Sequence, residues 1–98
     1  MSERQRYIVT YDIADPKRLR QVFKVMKGFG EHLQLSVFRC DLTKLTLAHM
    51  KAALIEIIDA QKDQVLIIDV GPTEGRGEVV FESLGKAYVD GGRKPNVV

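Results

Sequence analysis

The stretch YIVTYDIADPKRLRQVFKVMKG, residues 7–28, carries a strand and a helix in immediate succession. Tyr7-Ile8-Val9-Thr10-Tyr11 is aromatic and β-branched, the composition of a strand that ends near Asp12. Asp15 is placed to cap a helix, and Pro16 takes the first helical position, where its missing N–H leaves no bond unmade. Leu19, Val22, Phe23 and Met26 then recur at i, i+3, i+4 and i+7, the apolar stripe of a helix. Gly28 and Gly30 follow the last periodic residue and stop it.

Beyond the glycines, Leu33, Leu35 and Val37 alternate with Gln34 and Ser36, until Val37 and Phe38 stand side by side. That slip in phase predicts a bulge, or one strand giving way to the next, near Ser36. Asp41 or Thr43 caps a second helix whose stripe is Leu47, Met50, Leu54, Ile57 and Ile58, with Ala53 beside it. Asp59 to Gln64 is its polar exit, and Val65 to Val70 is a strand apolar enough to be central. Gly71 to Gly77 has the composition of a loop, Val79-Val80-Phe81 begins a short strand, and residues 90–98 form an irregular tail. The order is the split βαβ, ferredoxin-like arrangement of an α+β domain: βαββαβ with an extra short C-terminal strand and both helices on one sheet face. Strands apolar on both sides, Ile8 with Val9 and Leu66 with Ile67, predict that the other face packs on a second copy, a sheet-to-sheet homodimer.

With 98 residues the chain has room for one hydrophobic core, so residues 1–98 are taken as a single domain. A composition 45% hydrophobic and 29% charged suits a packed domain and argues against global disorder. The longest aliphatic run, Val65 to Ile68, is far below the roughly 20 residues of a membrane helix. No apolar stretch follows the charges of residues 1–6, so no secretory signal is expected and the chain is taken to be cytoplasmic. Cys40, the single cysteine, allows neither an internal disulfide nor a cysteine-based zinc cluster.

The net charge of +2 hides an uneven distribution. Residues 1–30 carry seven bases against three acids, which points to an anionic partner. At 100° per residue, Lys17, Arg20, Lys24 and Lys27 fall within an arc of about 80° on the outer face of the first helix, with no acid between them. Such a face repels itself unless an anion covers it; a merely solvated basic surface is the plain alternative. Lys62, Arg39 and Arg93 are candidates to extend it.

Asp12 stands where the first strand hands over to the loop. It either supports the turn or holds Mg²⁺, a hard ion that takes carboxylate oxygen and keeps several waters. One carboxylate per chain makes a poor metal site, and two meeting across a dimer axis a better one. His32 and His49 lack metal-ligand spacing, and Gly71 to Gly77 lacks the Gly-Lys-Ser/Thr of a phosphate-binding loop. Asp69, inside an apolar strand, faces solvent or pairs near the first strand, and Cys40 is read as a free core thiol.

Taken together, Tyr7 to Ile13 followed by a basic helix, the Ser36-Val37-Phe38 core of residues 33–40, and a final aliphatic strand resemble the CRISPR-associated protein 2 family, over about Tyr7 to Tyr88. That family is the small partner of the CRISPR integrase in spacer acquisition, an antiviral defence. The resemblance implies a ferredoxin-like fold and a symmetric homodimer, with a C-terminal strand, here within Val79 to Leu84, crossing to the partner's sheet. It makes Asp12 the catalytic and metal-binding residue, with Mg²⁺ (or Mn²⁺) held between two copies. It also makes Tyr11, Arg18, Arg20, Ser36 and Phe38 nucleic-acid-binding residues, which Lys24 and Lys27 join from the basic arc. The implied activity is a metal-dependent endonuclease acting on RNA or DNA phosphodiesters, with duplex DNA or single-stranded RNA and the integrase as partners. The alternatives are a non-catalytic DNA-binding scaffold for the integrase, or a toxin-type ribonuclease of the virulence-associated D kind.

Overall fold

The computed structural model describes residues 3–74 together with Leu84. Six elements follow one another: β1 (Gln5–Asp12), α1 (Pro16–Lys27), β2 (Glu31–Gln34), β3 (Val37–Leu42), α2 (Lys44–Ile55) and β4 (Gln64–Pro72). The strands form one antiparallel sheet in the order β2-β3-β1-β4, with both helices on one face, so the fold is the expected ferredoxin-like α+β arrangement. The short strand expected from Val79 onward and the tail at 90–98 lie outside the described residues.

Local chemistry explains the element ends. Asp15 caps α1 by accepting from the Arg18 N–H at 2.9 Å, and Pro16 opens the helix. Of the two candidate caps for α2, Thr43 serves, in a reciprocal box with Thr46, while Asp41 stays in β3 opposite Arg6. The phase slip marks a change of strand: β2 ends at Gln34, Leu35 and Ser36 make the turn, and β3 starts at Val37. Leu35 therefore leaves the alternation that Leu33 and Val37 suggested; it takes a left-handed φ of 39° and is 83% exposed. Two further expectations are corrected. The second helix ends at Ile55, so Ile57 and Ile58 pack on the core from the turn after it. Gly71 and Pro72 extend β4, because the strand continues to pair with Gln5 and Arg6 past a bulge at Arg6/Tyr7.

The core is built from the strands' helix-facing side and the helix stripes. Val9, Val22, Met26, Phe38, Cys40 and Met50 have no exposed surface, and Tyr7, Tyr11, Leu42 and Leu54 complete the cluster. Each such side chain contributes about 1.5–3 kcal/mol by leaving water. Burial pushes the Cys40 thiol up to about 11, as suits a core thiol. The chain after α1 runs close against β3 at Gly30, where a Cβ would meet Cys40 Sγ and lie 2.6 Å from the Arg39 carbonyl oxygen. On the other face, Leu66 and Ile68 of β4 remain 48% and 46% exposed beside Ile8 of β1.

Candidate nucleic-acid groove and acidic strand end

Strand alternation sends neighbouring residues of β1 to opposite faces. Tyr11 points toward the helices and is buried, while Asp12 ends the strand on the helix-free side and is exposed. The functional residues read from the sequence therefore divide between two sides of one sheet end.

On the helix side lies an open groove of about 860 Å³ between α1 and the β2–β3 turn. Lys17, Arg20, Lys24 and Lys27 line it from α1, with Leu19, Gln21 and Phe23 among them. Tyr11, Leu35 and Ser36 form the facing wall. The spacing of the basic arc thus becomes a surface: four cations on one flank, no acid among the described lining residues, and apolar and aromatic side chains between. The Lys27 ammonium stands 5.6 Å from the centre of the Phe23 ring, an attraction that holds it along the groove. The turn is braced from beneath. His32 Nε2–H donates to the Leu35 carbonyl at 2.8 Å, and the imidazole packs between Phe23 and Phe38 with both ring centres 5.0 Å away. Burial raises the Tyr11 phenol above its ordinary range, and a hydrogen bond with the Ser36 side chain offsets part of the effect.

Five of the seven predicted nucleic-acid residues, Tyr11, Arg20, Lys24, Lys27 and Ser36, meet in this groove. Phe38 does not reach its surface. Its ring is wholly buried, 6.2 Å from Tyr11 and 5.7 Å from Phe23, because register places it opposite Val9 on the helix side. It packs beneath Tyr11 and His32. Arg18 is also directed elsewhere. Its Nε and Nη2 donate to Asp63 at 2.8 and 3.1 Å, and the Asp63 carboxylate has no exposed surface. Of the possible extensions of the basic patch, Arg39 pairs with Glu31, Lys62 is exposed in the α2–β4 connection, and Arg93 lies outside the described residues.

On the helix-free side, Asp12 stands opposite Gln64 at the terminal rung of β1 and β4. Among the described residues the other aspartates are all engaged. Asp15 caps α1, Asp41 holds Arg6, Asp59 accepts from the Gln61 N–H, Asp63 holds Arg18, and Asp69 accepts from Gln5 and the Gly71 N–H. Among the same residues Asp12 has no such side-chain partner. No group of three His, Cys, Asp or Glu side chains comes together among the described residues, so one copy offers a cation a single carboxylate.

Asp63 is the residue the sequence did not single out. It lies in the polar exit of α2, and only the fold shows that its carboxylate gathers the Arg18 side chain and the N–H groups of Ala14 and Asp59. Together these donors hold its carboxyl well below the usual range.

A sequence profile described as CRISPR associated protein Cas2 matches residues 5–75. The chain belongs to this family. Among the family's members, a CRISPR-associated endoribonuclease Cas2 of Rhodospirillum rubrum is 52% identical over 82 residues, covering 84% of this chain and 79% of that protein. The crystal structure of a hypothetical protein from Thermus thermophilus superposes with a TM-score of 0.72 at 29% identity, covering 88% of this chain and 99% of that one. Streptococcus pyogenes Cas2 superposes with a TM-score of 0.63 at 35% identity, covering 67% and 86%. The family thus agrees with the expectation drawn from Tyr7 to Ile13 and the Ser36-Val37-Phe38 segment, and the ferredoxin-like sheet agrees with these solved folds. No helix among the described residues is long and apolar enough to cross a membrane.

Proposed function

We propose that the chain is a Mg²⁺-dependent endonuclease of CRISPR spacer acquisition, working in the cytoplasm as a homodimer that joins the CRISPR integrase. Relatives named as endoribonucleases support the reaction class. The observation that carries the reading is Asp12, the aspartate without a side-chain partner where the other described aspartates are all engaged, at the margin of an exposed apolar sheet face.

The donor chemistry fits the ion in one arrangement. A single exposed carboxylate leaves most of the coordination to water, and Mg²⁺ is commonly held by one or two carboxylates with its waters retained. Packing the Ile8, Leu66 and Ile68 face on a second copy would bring a second Asp12 to the same margin. Held between the two Asp12 carboxylates, Mg²⁺ (or Mn²⁺) would supply Lewis acidity to a phosphodiester and acidify its bound water. The chain's own residues bind and orient. Arg20, Lys24 and Lys27, with Lys17, neutralise successive phosphates along the groove, and Tyr11 and Ser36 present hydroxyls where the groove meets the strand end that carries Asp12.

The separation of groove and carboxylate favours a second reading. Because Tyr11 and Asp12 face opposite sides of the sheet, a duplex held along α1 need not touch Asp12, which is the behaviour of a non-catalytic DNA scaffold. Cleavage of labelled RNA and duplex DNA, with and without Mg²⁺, separates the two. Asp12→Ala is expected to lower cleavage by about 100-fold or more while nucleic-acid binding is retained. Duplex binding by the wild type without cleavage of either substrate assigns the scaffold role instead.

A further inference from the structure

The Arg18–Asp63 pair lies at the strand end that carries Asp12, and its geometry is that of a clamp. Asp63 Oδ1 accepts from the Ala14 N–H at 2.9 Å and from Arg18 Nη2 at 3.1 Å. Its Oδ2 accepts from Arg18 Nε at 2.8 Å and from the Asp59 N–H at 2.8 Å. Four donors therefore converge on a carboxylate with no exposed surface, an arrangement that leaves it little freedom. The tied points bracket Asp12. Ala14 is two residues beyond it in the chain, and Asp63 directly precedes Gln64, its partner across the last rung of β1 and β4. The β1–α1 loop and the α2–β4 loop are joined at the place where the sheet's own hydrogen bonds run out.

Arg18 is also turned away from the basic groove. One residue is about 100° round a helix, so Arg18 falls outside the arc of Lys17, Arg20, Lys24 and Lys27, and it does not line the groove. Both donor nitrogens named above are occupied by Asp63. We infer that Arg18 and Asp63 are positioning residues for Asp12, and that Arg18 acts through Asp63 rather than by contacting a phosphate. The inference rests on the reading of Asp12 as the metal-holding carboxylate.

Arg18→Lys discriminates between the two roles. A phosphate contact needs mainly a positive charge, which lysine keeps, whereas the two-pronged bond to Asp63 needs the planar guanidinium. The positioning role predicts that Arg18→Lys, Arg18→Gln and Asp63→Asn each lower kcat for RNA or DNA cleavage by about 10–100-fold, the usual effect of removing a support from a ligating group. Dissociation constants and the salt dependence of binding stay at wild-type values for Arg18→Lys and Arg18→Gln. The Arg18→Gln/Asp63→Asn double variant is no worse than the poorer single variant, because both remove one unit. Amide hydrogen exchange at residues 12–14 quickens in Asp63→Asn, a readout that needs no turnover. Circular dichroism checks that each variant is folded; should Asp63→Asn fail to fold, Arg18→Lys alone still decides.

The inference is overturned if Arg18→Lys cleaves like the wild type, or if Arg18→Gln lowers the salt slope of binding by about one phosphate's worth. If the wild type cleaves neither RNA nor DNA, the nuclease reading fails while this one is still judged. Unchanged binding of Arg18→Gln together with faster exchange at residues 12–14 in Asp63→Asn supports it, and a lowered salt slope rejects it.

Discussion

The two ends of β1 handle charge in opposite ways. At the Gln5–Arg6 end both aspartates are answered. Arg6 lies directly across the rung from Asp41 and donates to both its oxygens at 2.8 and 3.1 Å, and Gln5 donates to Asp69 at 2.9 Å. At the other end the residue across from Asp12 is the neutral amide Gln64, and no side chain among the described residues bonds the carboxylate. One strand thus carries a carboxylate's partner that ties the sheet together and a carboxylate left to solvent. The bonding makes the difference: Asp41 and Asp69 are tied to side chains of the sheet, one to a guanidinium and one to an amide, whereas Gln64 across the last rung makes no side-chain bond to Asp12.

Stability gives the largest test of that contrast. Asp41→Ala leaves the Arg6 guanidinium mostly buried and without its carboxylate, with Nη1 already lacking a partner. With Asp41 itself 29% exposed, the expected loss is about 2–3 kcal/mol, below that of a fully buried pair. Asp12→Ala removes no side-chain bond among the described residues and is expected to stay within about 0.5 kcal/mol of the wild type. Urea denaturation of the two variants measures both, and an equal loss at the two positions would erase the distinction between the ends. A smaller effect sharpens it. Replacing both partners, Arg6→Met with Asp41→Leu, is expected to recover most of what Asp41→Ala loses, because no unpaired charge then remains. A double variant as unstable as the single one would mean that the pair itself, and not the stranded guanidinium, stabilises the sheet.

Much of this architecture is legible before folding. Alternation in residues 7–11, the Asp15-Pro16 start and the 3.6-residue stripe of α1 are local signals, and each is written within a dozen residues. The basic groove is half legible. Helical spacing gathers Arg20, Lys24 and Lys27, but the wall of Tyr11 and Ser36 comes from strands brought alongside by pairing. What the chain hides is direction. Val37 and Phe38 are adjacent and apolar, and only the register Val9 to Phe38 decides that the phenylalanine goes inward as support for the groove. Arg18 and Arg20 look alike in sequence, yet one turns toward a carboxylate 45 residues away while the other joins the groove. A pairing over that separation has no local signature, so Asp63 passes for part of a polar loop.

Acid titration tests the same two ends with the gentlest perturbation. Asp63 and Asp41 both have carboxyls held below the ordinary range, each with its arginine as the first cause. A carboxyl depressed on folding contributes stability that is fully present above its unfolded pKa of about 3.9 and is lost as pH falls through the folded value. Stability should therefore be level between about pH 7 and 5 as far as these two groups act, and decline below about pH 4 as the unfolded chain takes up protons that the folded chain resists. Replacing either acid by asparagine removes its share of that slope. The larger flattening is expected from Asp63→Asn, whose carboxylate has no exposed surface and four hydrogen bonds, and the smaller from Asp41→Asn, which keeps contact with water. Denaturation midpoints of the three proteins between pH 6 and about pH 2 follow the slopes directly. If Asp41→Asn flattened the acid limb more than Asp63→Asn, the stronger anchor would lie at the Arg6 end of β1, and the strand end carrying Asp12 would be the looser of the two.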